Sequence, residues 1–167
     1  MSDHEIESLA AELGRRLLAQ QWRAATAESC TGGLVAGAIT TIAGSSEWFD
    51  RGFVTYSNGA KHELLDVAES ILDANGAVSE PTAMAMAEGA LQRSDATLAV
   101  AVTGIAGPGG GTPQKPVGMV CFAWARKGGA TISRTHYLSG NRADVREASV
   151  AIALRGLIDV VESASPR

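Results

Sequence analysis

The chain is 167 residues long, 46% hydrophobic, 19% charged and 5% aromatic, and its 14 Lys+Arg against 18 Asp+Glu give a net charge of −4. A chain of this length buries roughly 70% of the surface its unfolded form exposes, so a single core can hold it without metal or disulfide staples, and disorder or a repeat array is not expected. No run of Lys or Arg is longer than a pair such as Arg15-Arg16, which removes the basic footprint that drives nucleic-acid binding.

Residues 3–21 place Ile6, Leu9, Leu13 and Leu17 three to four apart, with Asp3, Glu5 and Glu7 in the first turn and Arg15-Arg16 later. That pattern predicts an amphipathic opening helix aligned with its dipole. Thr26-Ala27-Glu28 then leads through Ser29-Cys30-Thr31-Gly32-Gly33 into the small apolar run Leu34–Ile39, read as strand, tight turn and buried helix. Phe53–Ser57 is a β-rich run that Asn58-Gly59 punctuates, before a short helix carrying Lys61, Leu64 and Leu65. Ser79 and Pro81 supply an N-cap and a first-turn proline for a helix with Met84, Ala87 and Leu91. Leu98–Val102 is continuously apolar, the mark of a central strand covered on both faces, and ends at Thr103-Gly104. Glycine and proline recur too often between Gly104 and Gly118 for anything but loop. Val117–Ala125 and Thr131–Leu138, joined through Lys127-Gly128-Gly129, predict an antiparallel hairpin, and Ala143–Val161 a long closing helix. The sum is an α/β fold: a three-layer α/β/α sandwich whose mixed sheet includes an antiparallel hairpin. With no linker rich in Pro, Ser or charge, residues 1–167 read as one domain.

The start, Met1-Ser2-Asp3-His4-Glu5, carries acid where a secretory segment carries base, and the longest uncharged stretches are broken by Gly, Ser, Thr or Pro. A cytoplasmic protein without a membrane partner is expected. Cys30 and Cys121 read as thiols. His4, His62 and His136 are scattered without a zinc-binding spacing, so no metal is expected.

Ser29 stands at a strand-to-helix junction, where free backbone N–H groups and the positive end of a dipole favour an oxyanion, as acyl transfer requires. The alternative is that Ser29 or Thr31 merely caps the helix and Gly32-Gly33 permits close packing. Cys30 competes as nucleophile, although a small buried thiol is its ordinary role. None of the histidines is well placed as a base, which leaves Lys61, just beyond the strand end. To serve near neutral pH its pKa must fall from ~10.4 to about 7–8; otherwise it is an ordinary surface lysine. Thr103–Pro113 is a glycine cluster directly after a central strand, where ligands of open α/β sheets bind, or else a long surface connection. Arg142 and Arg146 open the last helix against its dipole, which calls for an anion or a carboxylate nearby.

Ala27-Glu28-Ser29-Cys30-Thr31-Gly32-Gly33, Gly52–Asn58 with Lys61, Gly76-Ala77-Val78-Ser79, Thr103-Gly104-Ile105-Ala106-Gly107-Pro108 and Lys115-Pro116-Val117-Gly118 together resemble the CinA C-terminal domain family. The resemblance runs from about Thr26 to Ala125 and resumes at Gly140–Arg146. It implies nicotinamide mononucleotide deamidation to the acid and ammonia, by a serine amidohydrolase that needs no cofactor. It also implies Ser29 as nucleophile, Lys61 as base and Tyr56 as a neighbour that orients or relays the proton. Cys30, Thr31, Gly32, Gly33, Ser46, Thr103, Gly104 and Arg142 would line the substrate site, with Arg142 near the phosphate and Ser46 assigned no step. Many members read Gly-Asp-Arg where this chain has Gly140-Asn141-Arg142, so Asn141 can cap the helix but offers Arg142 no charge. The longer members carry a further N-terminal domain, and the expectation here is the stand-alone form. A rival reading makes the chain a non-catalytic nucleotide-binding regulator linked to competence or DNA damage. Its many small helix residues would allow subunits to pack as a homo-oligomer.

Overall fold

The fold was analysed in a computed structural model that describes residues 3–164; Met1 and Ser2 of the acidic start lie outside it. In chain order come α1 (Asp3–Gln20), β1 (Ala24–Glu28), α2 (Leu34–Thr40), a 3-10 turn (Ser45–Glu47), β2 (Phe49–Val54), α3 (Asn58–Leu65), α4 (Glu69–Asn75), α5 (Glu80–Gln92), β3 (Leu98–Gly104), β4 (Met119–Arg126), β5 (Ile132–Tyr137) and α6 (Arg142–Ala164). The strands form one mixed sheet in the order β2-β1-β3-β4-β5. β1 pairs in parallel with β2 and β3, while β3–β4 and β4–β5 are antiparallel.

The sheet has a bulky face and a small one. Leu98, Val100 and Val102 of β3 and Val120, Phe122 and Trp124 of β4 point to one side, into a core with Leu13, Leu17, Ile39, Leu154 and Leu157 from α1, α2 and α6. Ala25, Ala27, Ala99, Ala101, Ala123 and Ala125 point to the other, where α5 lays Ala83, Met86, Ala87 and Ala90 against them. Period-two alternation separates the two sets, so the run read as uniformly apolar is layered by side-chain size. The three-layer α/β/α sandwich with its hairpin stands as expected. Among the described residues, no helix is long and apolar enough to cross a membrane.

Two elements depart from the sequence reading. The strand expected over 53–57 is Phe49–Val54. It is an edge strand, where Asp50 and Arg51 pair with each other at 2.7 Å and charge is tolerated. Beyond Val54 the chain peels away after Thr55 N–H donates to Glu28 O at 2.8 Å. Helix α4 was not anticipated, because Glu69–Asn75 buries only Leu72 and so carries little apolar periodicity.

Candidate active site

Ser29 follows β1 directly, and its N–H donates to Val102 O at 2.9 Å, the last bond between that strand and β3. The chain then turns: Gly32 N–H donates to Ser29 O at 3.1 Å. Gly32 (φ 58°) and Gly33 (φ 107°) both take the left-handed conformation that side chains resist. Helix α2 begins only at Leu34, with Gly33 at the cap position and no side chain bonded there. Neither Ser29 nor Thr31 is therefore its cap. The first amides of α2 belong instead to Glu28, whose carboxylate accepts from Val35 N–H at 2.8 Å and Ala36 N–H at 3.0 Å. A buried carboxylate is rare unless it is partnered, and this one takes the positive end of the α2 dipole. The dipole thus serves Glu28 and not the hydroxyl one residue on, contrary to the sequence reading.

Lys61 comes from the other side of the same strand end. Ser57 caps α3, its Oγ accepting from Ala60 N–H at 3.0 Å, and the first turn of the helix sends Lys61 inward. Lys61 is only 1% exposed. Its Nζ lies 3.0 Å from Ser29 Oγ, 2.9 Å from Thr55 O and 3.2 Å from Tyr56 O. Among the described residues no carboxylate pairs with it. Burial without a counter-charge disfavours the ammonium and brings the pKa down to about 8. An amine with two carbonyls for its N–H groups has its lone pair left for the serine hydroxyl.

A cleft of about 270 Å3 opens over this pair, and Ser29, Cys30, Tyr56, Lys61, Thr103, Gly104 and Arg142 all line it. Thr31, Gly32, Gly33 and Ser46 do not. Thr31 is wholly buried, and the two glycines shape the turn from behind. Ser46 lies in the 3-10 turn before β2, at the end of the sheet where Ala24 pairs with Phe49; Ser29 follows the opposite end of β1. Ala77, Val78, Ile105 and Ala106 also line the cleft; Ile105 and Ala106 fall within the Thr103–Pro113 cluster singled out in the sequence, whereas the side chains of Ala77 and Val78 give no chemical signal by which they could have been selected.

Cys30 is 6% exposed, and burial pushes its thiol up to about 11, so the thiolate a nucleophile needs is scarce at neutral pH. Tyr56 touches the Ser29–Lys61 pair through its backbone carbonyl, which lies 3.2 Å from Lys61 Nζ and 3.3 Å from Ser29 Oγ. Its exposed phenol oxygen instead receives a 3.4 Å contact from Arg142 Nη2. Thr103 Oγ1 donates to Ala77 O at 2.9 Å, fixing one wall. Arg142 Nη1 donates to Gly107 O at 2.9 Å, tying α6 to the glycine loop, and Arg142 makes no ion pair among the described residues. Asn141 does cap α6: its Oδ1 accepts from Asp144 N–H, and Asp144 Oδ2 accepts from Asn141 N–H, each at 2.9 Å. Among the described residues no group of three or more His, Cys, Asp or Glu side chains is arranged to hold a metal ion.

Known proteins resemble this chain in sequence and in fold. The nicotinamide-nucleotide amidohydrolase PncC of Enterobacter agglomerans is 52% identical over 155 residues, spanning 93% of this chain and 94% of that protein. A CinA-like protein of Mycolicibacterium vanbaalenii is 58% identical over 130 residues, which is 78% of this chain but 31% of that longer protein. Among solved structures, the competence/damage inducible protein CihA of Agrobacterium tumefaciens superposes with a TM-score of 0.91 at 50% identity, over 93% of this chain and 95% of its own. The CinA C-terminal domain matches residues 6–161, and the chain belongs to that family.

Proposed function

We propose that this chain hydrolyses the carboxamide of nicotinamide mononucleotide to the acid and ammonia, with Ser29 as nucleophile and Lys61 as its base. The observation that carries this reading is the 3.0 Å approach of a buried, carboxylate-free lysine amine to a serine hydroxyl inside a cleft. The substrate comes from the PncC relative that the chain matches over nearly its full length.

In this reading Lys61 Nζ takes the Ser29 proton as Oγ attacks the carboxamide carbon, and the carbonyl oxygen becomes an oxyanion held by backbone N–H groups near Cys30–Gly33 or Gly104. The resulting ammonium returns the proton to the departing nitrogen, which leaves as ammonia. Water, deprotonated by the same amine, then hydrolyses the acyl ester and frees Ser29. Tyr56 O and Thr55 O keep the lone pair aimed at Oγ. Gly104 follows the last β1–β3 pair, Glu28–Val102. A Cβ there would lie 2.7 Å from Val120 Cγ2, so glycine lets the backbone pass close against β4. Arg142, lacking a carboxylate partner, meets the phosphate.

The deciding experiment is ammonia release from nicotinamide mononucleotide by the purified protein, with Ser29→Ala and Cys30→Ala beside it. Loss of at least about 10³-fold in Ser29→Ala and near-normal rates in Cys30→Ala are expected. Absence of turnover in the unaltered protein, with nucleotide binding retained, would leave a regulatory binding module instead.

A further inference from the structure

Lys115 belongs to the motif Lys115-Pro116-Val117-Gly118, and the reaction scheme above gives it no part. From Pro108 to Val117 every residue is exposed except Lys115, which is half-buried. Lysine is among the side chains most rarely turned inward, so this one calls for a partner. Its Nζ donates to Asn75 O at 2.5 Å, and it makes no ion pair among the described residues. Asn75 ends α4, where the last carbonyls have no partner within the helix. Gly76 follows with φ 77°, and a Cβ there would stand 2.9 Å from Lys115 Nζ, so glycine leaves the amine room.

This bond joins two walls of the cleft. On one side, Gly76 O accepts from Ser79 Oγ at 3.1 Å and from Thr82 Oγ1 at 2.7 Å, while Ala77 O takes the Thr103 hydroxyl. The carbonyls of residues 75–77 are thus all engaged by side chains, and Ala77 and Val78 face the cleft from a fixed segment. On the other side is the loop between β3 and β4. Its neck is closed by Ile105 N–H to Met119 O at 2.9 Å and Gly118 N–H to Ile105 O at 2.8 Å. Its tip is a turn in which Thr112 N–H donates to Lys115 O at 2.8 Å and Lys115 N–H to Thr112 Oγ1 at 3.0 Å. Gly107, Gly109 and Gly110, which line the cleft, lie between neck and tip. Among the described residues, two hydrogen bonds tie residues 106–115 to the rest of the molecule: Arg142 to Gly107 O, and Lys115 to Asn75 O. Arg142 is the group given to the phosphate, whereas Lys115 stands outside the cleft.

We propose that Lys115 is a positioning residue for substrate binding: its tether to Asn75 keeps the glycine loop seated over the cleft, at a fixed span from the Ala77–Val78 wall. The inference rests on the amidohydrolase reading and adds to it what sets the width of the substrate site. Without the tether the loop divides its time between seated and lifted positions, and apparent affinity falls with the seated fraction, whereas bound substrate holds the loop in place. Lys115→Met should therefore raise KM for nicotinamide mononucleotide by about tenfold, the scale of losing a charged hydrogen bond. Its kcat should stay within about twofold, as expected when only uniform binding is lost. The phosphate-free riboside should show the same rise in KM, which separates this effect from loss of the Arg142 contact. Lys115→Arg, which keeps a long cationic donor, should recover part of the affinity. A damaged fold moves the numbers the other way, since fewer active molecules lower kcat at an unchanged KM. Proteinase K should cut Lys115→Met within residues 106–114 about tenfold faster than the parent, because cleavage follows the population of the lifted loop. The inference is overturned if Lys115→Met keeps its KM, if kcat carries the loss, if the riboside is unaffected, or if the loop is cut no faster. If the unaltered protein releases no ammonia, it is the amidohydrolase reading that falls, and the proteolysis comparison then decides by itself whether Lys115 seats the loop.

Discussion

In the proposed mechanism Lys61 must be neutral to work, which leaves a signature in both rate and stability. With the Lys61 pKa at about 8, kcat/KM should rise close to tenfold per pH unit below that value and level off above it. Lys61→Met should lower kcat by about 10²–10⁴-fold at every pH. Between about 8 and the ordinary lysine value of 10.5, the folded protein binds fewer protons than the unfolded one. Its stability therefore rises with pH across that window and is penalised below it. The full penalty is about 3 kcal/mol. Urea titrations should accordingly find Lys61→Met gaining stability relative to the parent at pH 7, with the gap narrowing by up to that amount as pH approaches 10.5. Arg142 is tested by substrate rather than by pH. Arg142→Ala should raise KM for nicotinamide mononucleotide by at least about tenfold, as loss of a charged hydrogen bond does, yet leave kcat/KM for the phosphate-free riboside nearly unchanged. That Ser29, Lys61 and Arg142 share one cleft was legible in the sequence through the ordered motifs that carry the family resemblance. Glu28 was not, since a carboxylate ending an apolar strand gives no sign of which amides it will cap.

At the scale of elements, α3 is held where it is by a close approach that only glycine allows. A Cβ on Gly89 of α5 would collide with Leu65 O, and Leu65 is the last residue of α3, one helical turn from Lys61. Gly89→Ala must push the two helices apart, at a cost of about 1–3 kcal/mol. Its thermal midpoint should fall, and kcat should fall more than KM rises, because the displacement is transmitted to the amine. The hairpin, the opening helix and the closing helix were all readable from periodicity. The β2 boundaries and α4 were not. β2 is a charged edge strand whose alternation is weak, and α4 buries one leucine, so neither carries the apolar period on which sequence reading depends. The Ser79 cap, by contrast, was readable and is present: its Oγ accepts from Thr82 N–H at 3.2 Å.

Across the whole molecule, the proposed nucleophile and its proposed base come from β1, α3 and the turns beside them, all within residues 24–65. The cleft's opposite side is supplied by the glycine loop after β3 and by the start of α6, brought in through the Arg142–Gly107 bond. In the proposed function, bond-breaking and ligand choice are thus written in separate stretches of one polypeptide. Exchanges near residues 105–110 or at Arg142 can redirect the protein toward a differently decorated amide while the reactive pair stays untouched. A drift in what is consumed need not begin with a loss of how it is consumed.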